Sequence, residues 1–247
     1  MTWSAGQRYL AEFLGTFGLL LAVTGGALFS FNLPVLDAIS RVLLISIAIG
    51  AGLIGAIYAF GDISGAHFNP AVTVAFWAAG RFKGRDVVPY IIAQVLGGIL
   101  GVAVIAGVAY GHGSLWTMVT SPNVALASEG YSGGGAYAVG WESVFLFEVV
   151  FTFFLVYVIL FATRSENSSK NLAPMGIGLT LLMINLVGIP IDGASVNPAR
   201  SFAPAILSAF FSGDRWAIQQ DWIFWVAPIV GGLVAAALER MLRPSSN

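Results

Sequence analysis

Long runs of apolar residues, each close to the roughly twenty needed to cross a bilayer core, alternate with short polar breaks along the 247 residues of the chain. The pattern predicts membrane spans over residues 9–31, 41–60, 87–110, 141–163, 174–189 and 221–242. Asn32 and Pro34 break the first span, Gly61 and Asp62 close the second, and Arg243 and Pro244 end the last. Two further apolar runs are too short to span: residues 69–79, stopped by Gly80, and residues 197–211. Residues 111–140 are rich in Gly, Ser, Pro and Asn and predict an exposed loop. Arg8 leads straight into a long apolar run with no small-residue cleavage pattern behind it, so no cleavable leader is expected.

The two short runs open on nearly the same words. Residues 64–73 read Ser-Gly-Ala-His-Phe-Asn-Pro-Ala-Val-Thr, and residues 192–201 read Asp-Gly-Ala-Ser-Val-Asn-Pro-Ala-Arg-Ser, aligned without a gap at an offset of 128. One Asn-Pro-Ala is an ordinary helix start, whereas two in matched contexts mark an internal repeat. Glu12 and Glu148 extend it, each followed four residues later by Thr16 or Thr152, and Gly97-Gly98 is echoed by Gly231-Gly232. Each half, residues 1–110 and 141–247 around the loop 111–140, therefore holds three spans and one short segment within a single channel domain, 1–247. Three is odd, so the halves cross the membrane in opposite senses. The predicted fold is all-α: six transmembrane helices and two re-entrant half-helices in an inverted 3+3 repeat.

Geometry turns the repeat into chemistry. A segment of about eleven residues rises roughly 16 Å as a helix, half a bilayer. Asn suits the N-cap and Pro the first helical position, so Asn69-Pro70-Ala71 and Asn197-Pro198-Ala199 are expected to start two half-helices whose N-termini face each other near the midplane. Each Asn oxygen then holds helix-start N–H groups, leaving the amide NH₂ free to donate. The carbonyls of Gly65, Ala66, His67 and Phe68, and of Gly193, Ala194, Ser195 and Val196, form a track of acceptors leading to those donors. Exposed backbone at that depth has to be buried or line a watery cavity. Water can accept from the amides and donate to the carbonyls. Cations are opposed by two converging positive helix ends, and water reoriented between them interrupts a proton wire. Arg200, in the first turn after the second motif, is expected to face the pore.

Composition agrees with a membrane protein: 57% of residues are hydrophobic and 9% charged, against about 25% charged in soluble domains. A net charge of −1 without basic blocks excludes nucleic acid, and the absence of Cys excludes disulfides and thiolate metal sites. No metal or cofactor is expected. Arg8, Arg81, Lys83, Arg85, Arg164, Lys170, Arg240 and Arg243 fall in segments on one side of the predicted topology, and only Arg41 and Arg215 on the other. The positive-inside rule places both termini in the cytoplasm. Two scattered His and no paired carboxylates argue against an enzyme, and neutral midplane amides argue against a secondary transporter. Glu12 and Glu148 are expected to bind the N–H groups of the re-entrant segments, His67 to line the inner vestibule, and His112 to be a solvated loop residue. The paired glycines suit close helix packing. Trp141, Trp222 and Trp225 suit an interfacial belt.

With two Asn-Pro-Ala motifs, Arg200 behind the second, and Glu12 and Glu148 in the first and fourth spans, nearly the whole chain resembles the aquaporin (major intrinsic protein) family. The resemblance implies a right-handed six-span bundle in the cell membrane, assembled as a homotetramer with one pore per subunit. It implies a passive channel for water, with small neutral solutes such as glycerol or gases admitted and ions and protons excluded. A glycerol or small-solute facilitator is the alternative main role, with a secondary transporter behind it. The selectivity filter carried over by the resemblance is Ile49, Asn185, Ala194 and Arg200. Water-selective relatives usually have an aromatic where this chain has Ile49 and His where it has Asn185, which implies a wider constriction here. Ser201, Ala205 and Phe224-Trp225 instead resemble the water-channel branch.

Overall fold

The structure, a computed structural model, describes residues 2–121, 123–135, 137–164, 167 and 169–242; Arg243 and Pro244, used above in the charge bias and the last span boundary, lie outside them. Among the described residues the regular elements are helical: α1 (Ala5–Phe31), α2 (Ala38–Ser64), α3 (Pro70–Ala78), α4 (Gly84–Tyr110), α5 (Gly113–Val119), α6 (Trp141–Ala162), α7 (Ala173–Gly188), α8 (Pro198–Ser212) and α9 (Trp216–Met241). Five of them, α1, α2, α4, α6 and α9, are long and apolar enough to cross a membrane. The sixth crossing, α7, has 16 residues, about 24 Å of helix. Below it, Ile191 and Asp192 continue the chain as a turn on the Gly188 carbonyl.

Capping decides where the helices begin. Ser4 Oγ accepts from Gln7 N at 3.3 Å while Gln7 Oε1 accepts from Ser4 N at 2.9 Å, a capping box that starts α1 four residues before the apolar run. Asp37 Oδ1 accepts from Ser40 N at 2.7 Å and starts α2 in the same way. At its far end α2 continues through Gly61 and the exposed Asp62, which hydropathy alone reads as a stop. The chain turns only at Gly65, where φ is +89°. The half-helices differ in length, nine residues in α3 and fifteen in α8, or about 14 and 22 Å.

The stretch 111–140 is more than an exposed loop. It contains α5 and a tight turn at Ala125–Ala127. Leu115 and Val119, one helical turn apart, are both buried, and α5 packs against α4 and α1. Local apolar spacing at i and i+4 thus makes a helix inside a Gly-rich segment.

The two halves are built alike. α1 packs on α4 as α6 packs on α9, α2 meets α7 across the halves, and the half-helices exchange partners, α3 against α9 and α8 against α4. The glycine pairs permit this. A methyl at Gly97 would stand 2.1 Å from the Phe13 carbonyl oxygen, and one at Gly231 2.3 Å from that of Val149. Gly98 and Gly232 do the same for the half-helices, facing the carbonyls of Ala199 and Ala71 at 3.3 and 3.0 Å. At Gly97 and Gly231 the clashing neighbour is backbone, which cannot swing aside. Gly97→Ala is therefore expected to destabilise the protein by about 3 kcal/mol. Gly107→Ala on the same helix, where nothing lies within 4 Å, is neutral or better. Thermal unfolding of the two variants in detergent checks the contrast.

Candidate functional site

The re-entrant segments before α3 and α8 carry matched, unusual backbone. Gly65, Ala66 and Phe68 have φ of +89°, +51° and +49°, and Gly193, Ala194 and Val196 have +99°, +57° and +48°. For a non-glycine residue each left-handed position costs on the order of 1 kcal/mol or more and survives only where the surroundings impose it. Glu12 imposes it on the first segment. Its Oε1 accepts from Ser64 Oγ (2.6 Å) and His67 N (3.0 Å), its Oε2 from Phe68 N (2.8 Å) and Gln94 Nε2 (2.7 Å). Glu148 holds the second through Ser195 N and Val196 N, both at 2.8 Å. Both carboxylates are fully buried.

At the tips of these segments the Asn side chains cap the half-helices. Asn69 Oδ1 accepts from Ala71 N at 2.8 Å, and Asn197 Oδ1 from Ala199 N and Arg200 N at 3.0 and 3.3 Å. Pro70 and Pro198 occupy the first helical positions. The amide nitrogens are not both wholly free, as the sequence suggests. Asn69 Nδ2 donates to Val196 O (2.7 Å) and Asn197 Nδ2 to Phe68 O (2.9 Å). Two opposed loop ends this close must pair their own acceptors, so each amide uses one N–H on the opposite segment and keeps one. The Phe68 and Val196 carbonyls, expected on the acceptor track, each carry one bond already.

Both Asn residues, the segments around them and the four positions Ile49, Asn185, Ala194 and Arg200 line one narrow cavity. Its volume is about 70 Å³, room for a short file of waters. Most of the remaining wall is aliphatic, including Leu19, Val23, Leu53, Leu155, Ile177 and Leu181. A second cavity of about 320 Å³ lies outside it, lined by Phe31, Ile45, Tyr137 and Pro190 among others. Val23 and Arg200 line both, so Arg200 stands at the throat between them. Asn185 ties Nδ2 to Leu181 O at 2.8 Å in its own helix. Its buried Oδ1 has no hydrogen-bond partner among the described residues. His67 lines the inner cavity while its ring stacks among Phe76, Phe82 and Tyr90, with Nδ1 3.1 Å from Thr73 Oγ1. His112 is exposed beside Ser114.

Arg200 is clamped from the outside. Nη1 donates to Ala127 O at 2.9 Å, Nη2 to Gly193 O at 3.3 Å, and Nη1 pairs with the Glu129 carboxylate. Ala125, Leu126 and Ala127, with φ of +42°, +55° and +66°, form the tight turn that supplies the Ala127 carbonyl. Sequence reasoning singled out neither Ala127 nor Glu129. One signal was available: Glu129 is the only acid between Asp86 and Glu142. Burial pushes its carboxyl up to about 8 even against the downward pull of Arg200.

The model of the major intrinsic protein family matches residues 1–238. The chain belongs to that family. This family member is 41% identical to aquaporin Z of Photorhabdus laumondii over 236 residues, covering 96% of the chain and 97% of that protein. It is 40% identical to aquaporin Z of Rhodopseudomonas palustris over 241 residues, 96% of the chain and 94% of that protein. The X-ray structure of the aquaglyceroporin from Plasmodium falciparum matches with a TM-score of 0.80 at 22% identity, covering 97% of each chain. That likeness shows the shared fold. As a major intrinsic protein with these apolar helices, the chain is a multi-pass membrane protein.

Proposed function

We propose that this chain is a passive transmembrane channel for water that also passes small neutral solutes such as glycerol and excludes ions and protons. The observation that carries this reading is the pair of capped half-helix ends in the cavity wall, cross-linked by Asn69 Nδ2 to Val196 O and Asn197 Nδ2 to Phe68 O. Each amide keeps one N–H for a passing oxygen, and the aliphatic wall supplies no competing sites. A water between two positive helix ends turns its oxygen toward the amides and its hydrogens outward, so neighbouring waters cannot relay a proton through the centre. A cation meets the same two ends with no ring of carboxylates to replace its hydration. Aquaporin Z, the name of the relatives at 40 and 41% identity, supports water as the cargo.

The filter supports the wider solute range. Ile49 and Ala194 place aliphatic carbon beside the donors of Arg200 and the lone acceptor of Asn185. That combination suits a small polyol, whose hydroxyls need a donor and an acceptor and whose carbons need an apolar wall. Stopped-flow light scattering on proteoliposomes, with water and glycerol gradients side by side, tests both parts. Water flux well above that of empty vesicles is expected, with measurable glycerol flux. No excess water flux sinks the channel reading. Ile49→Phe should narrow the filter and lower glycerol flux about tenfold while lowering water flux much less; equal losses would remove Ile49 from the filter.

The channel's setting belongs to the same reading: one pore domain over residues 1–247, in the cell membrane, with both termini cytoplasmic and four copies assembled around a common axis. The Lys and Arg bias among the loops supports the orientation. Exposed Leu10, Tyr58, Leu96 and Leu146 on the outer faces of the helices support burial against lipid or further copies.

A further inference from the structure

We propose that Glu129 is a specificity-determining residue: in its ionised form, as the buried counter-ion of Arg200, it makes the filter electrically neutral and so keeps anions out. The inference rests on the channel reading above and addresses what that reading leaves open. Two helix N-termini and a guanidinium repel cations, but all three are positive and together would invite an anion. A channel that excludes both signs needs the positive elements balanced from behind.

The structure supplies three buried carboxylates in that position. Glu12 takes the N–H groups of His67 and Phe68, and Glu148 those of Ser195 and Val196, each behind one half-helix entrance. Glu129 stands in the same relation to Arg200, with side-chain exposures of 1% and 7%. The other acids nearby are otherwise engaged. Asp192 Oδ1 accepts from Ala194 N at 2.8 Å in the second re-entrant segment, and Asp221 Oδ2 on α9 accepts from Trp225 Nε1 at 2.8 Å. With Glu148 on α6, Arg200 on α8 and Tyr137 on its own loop, these are the titratable groups that face Glu129.

Glu129 is also held in place by bonds that do not involve its charge. Gly130 N donates to Asp192 O at 3.0 Å, Tyr131 N to Gln220 Oε1 at 2.8 Å, and Tyr137 Oη to Ser128 O at 3.0 Å. Gly193 leaves the space for it, since a methyl there would lie 3.2 Å from Glu129 Cγ and 2.7 Å from Tyr137 Oη. Glu129→Gln therefore removes the charge and leaves the loop seated.

The test uses the full chain in proteoliposomes at pH 9, above the value of about 8 to which burial pushes the Glu129 carboxyl, so that the pair is ionised. Water, chloride and potassium fluxes are measured for the unaltered protein, Glu129→Gln, Arg200→Gln and the double variant. Glu129→Gln is expected to raise chloride flux relative to water by about tenfold, the scale on which a charged cleft concentrates counter-ions. Arg200→Gln should raise potassium instead, and the double variant should return both ratios toward the original. A merely structural role would not switch the sign of the leaking ion. Glu129→Gln that conducts water yet excludes chloride as before overturns the proposal, as do single variants that leak both ions alike. Should Glu129→Gln fail to fold, Glu129→Ala decides in its place: a chloride leak with water flux retained supports the counter-ion, and water flux without a chloride leak overturns it. No water flux through the unaltered protein would instead defeat the channel reading itself.

Discussion

A channel carrying Asn197→Asp should conduct water about tenfold more slowly than the unaltered protein and should no longer exclude cations. Aspartate still caps α8, because either carboxylate oxygen can accept from Ala199 N and Arg200 N as Asn197 Oδ1 does. What changes is the opposite edge of the side chain. Asn197 Nδ2 donates to Phe68 O at 2.9 Å, and in the variant two acceptors face each other across that distance. Leaving a buried carbonyl without its donor costs about 1–3 kcal/mol, and the loops must part to relieve the repulsion. The pore also gains a negative charge at the point where two positive helix ends had repelled cations. Shrinkage rate and potassium leak from the same vesicles measure both effects. Full water flux with intact ion exclusion would show that the amides are not the central donors.

Glu12→Leu should be more damaging still, to folding before function. Leucine nearly fills the space but accepts nothing: Ser64 Oγ, His67 N and Phe68 N lose their partner, and Gln94 Nε2 keeps only Thr73 Oγ1 at 3.0 Å. At about 1–3 kcal/mol for each unsatisfied group, the loss is comparable to the whole stability of a typical domain. The left-handed residues Ala66 and Phe68 would relax once nothing held them. Glu148→Leu orphans two backbone N–H groups, those of Ser195 and Val196, and should cost roughly half as much. Glu12→Gln keeps an acceptor and should fall between the native protein and Glu12→Leu. Folded yield and thermal midpoint in detergent check this order; equal effects of the two leucine variants would contradict it.

Much of this was legible in the chain because the deciding interactions are local. An Asn followed by Pro caps a helix within two or three residues of itself, so Asn69 and Asn197 announce where α3 and α8 begin. Hydropathy locates the spans because a bilayer demands their length, although it misplaces their ends where capping by Ser4 and Asp37 or the αL turn at Gly65 governs. The glycine pairs read as close packing for the same local reason. Other features depend on contacts far apart in the chain. Arg200 meets Ala127 and Glu129 only once the Ala125–Ala127 turn folds against α8, and no spacing relates those residues. The cross-bonds between Asn69 and Val196 and between Asn197 and Phe68 were likewise invisible. Their existence depends on how closely the two loop tips approach, which the repeat implies in kind but not in distance. Leu115 and Val119 were legible in principle as an i, i+4 apolar pair, and were hidden by the glycines around them.

The most direct test of the whole account is the temperature dependence of osmotic water flux through the purified protein in proteoliposomes, with proton flux followed in the same preparation. A hydrogen-bonded passage along amides and carbonyls predicts a rate that rises with temperature only as gently as diffusion in bulk water, with no accompanying proton flux. A slope as steep as that of protein-free vesicles, or protons moving with the water, would contradict it.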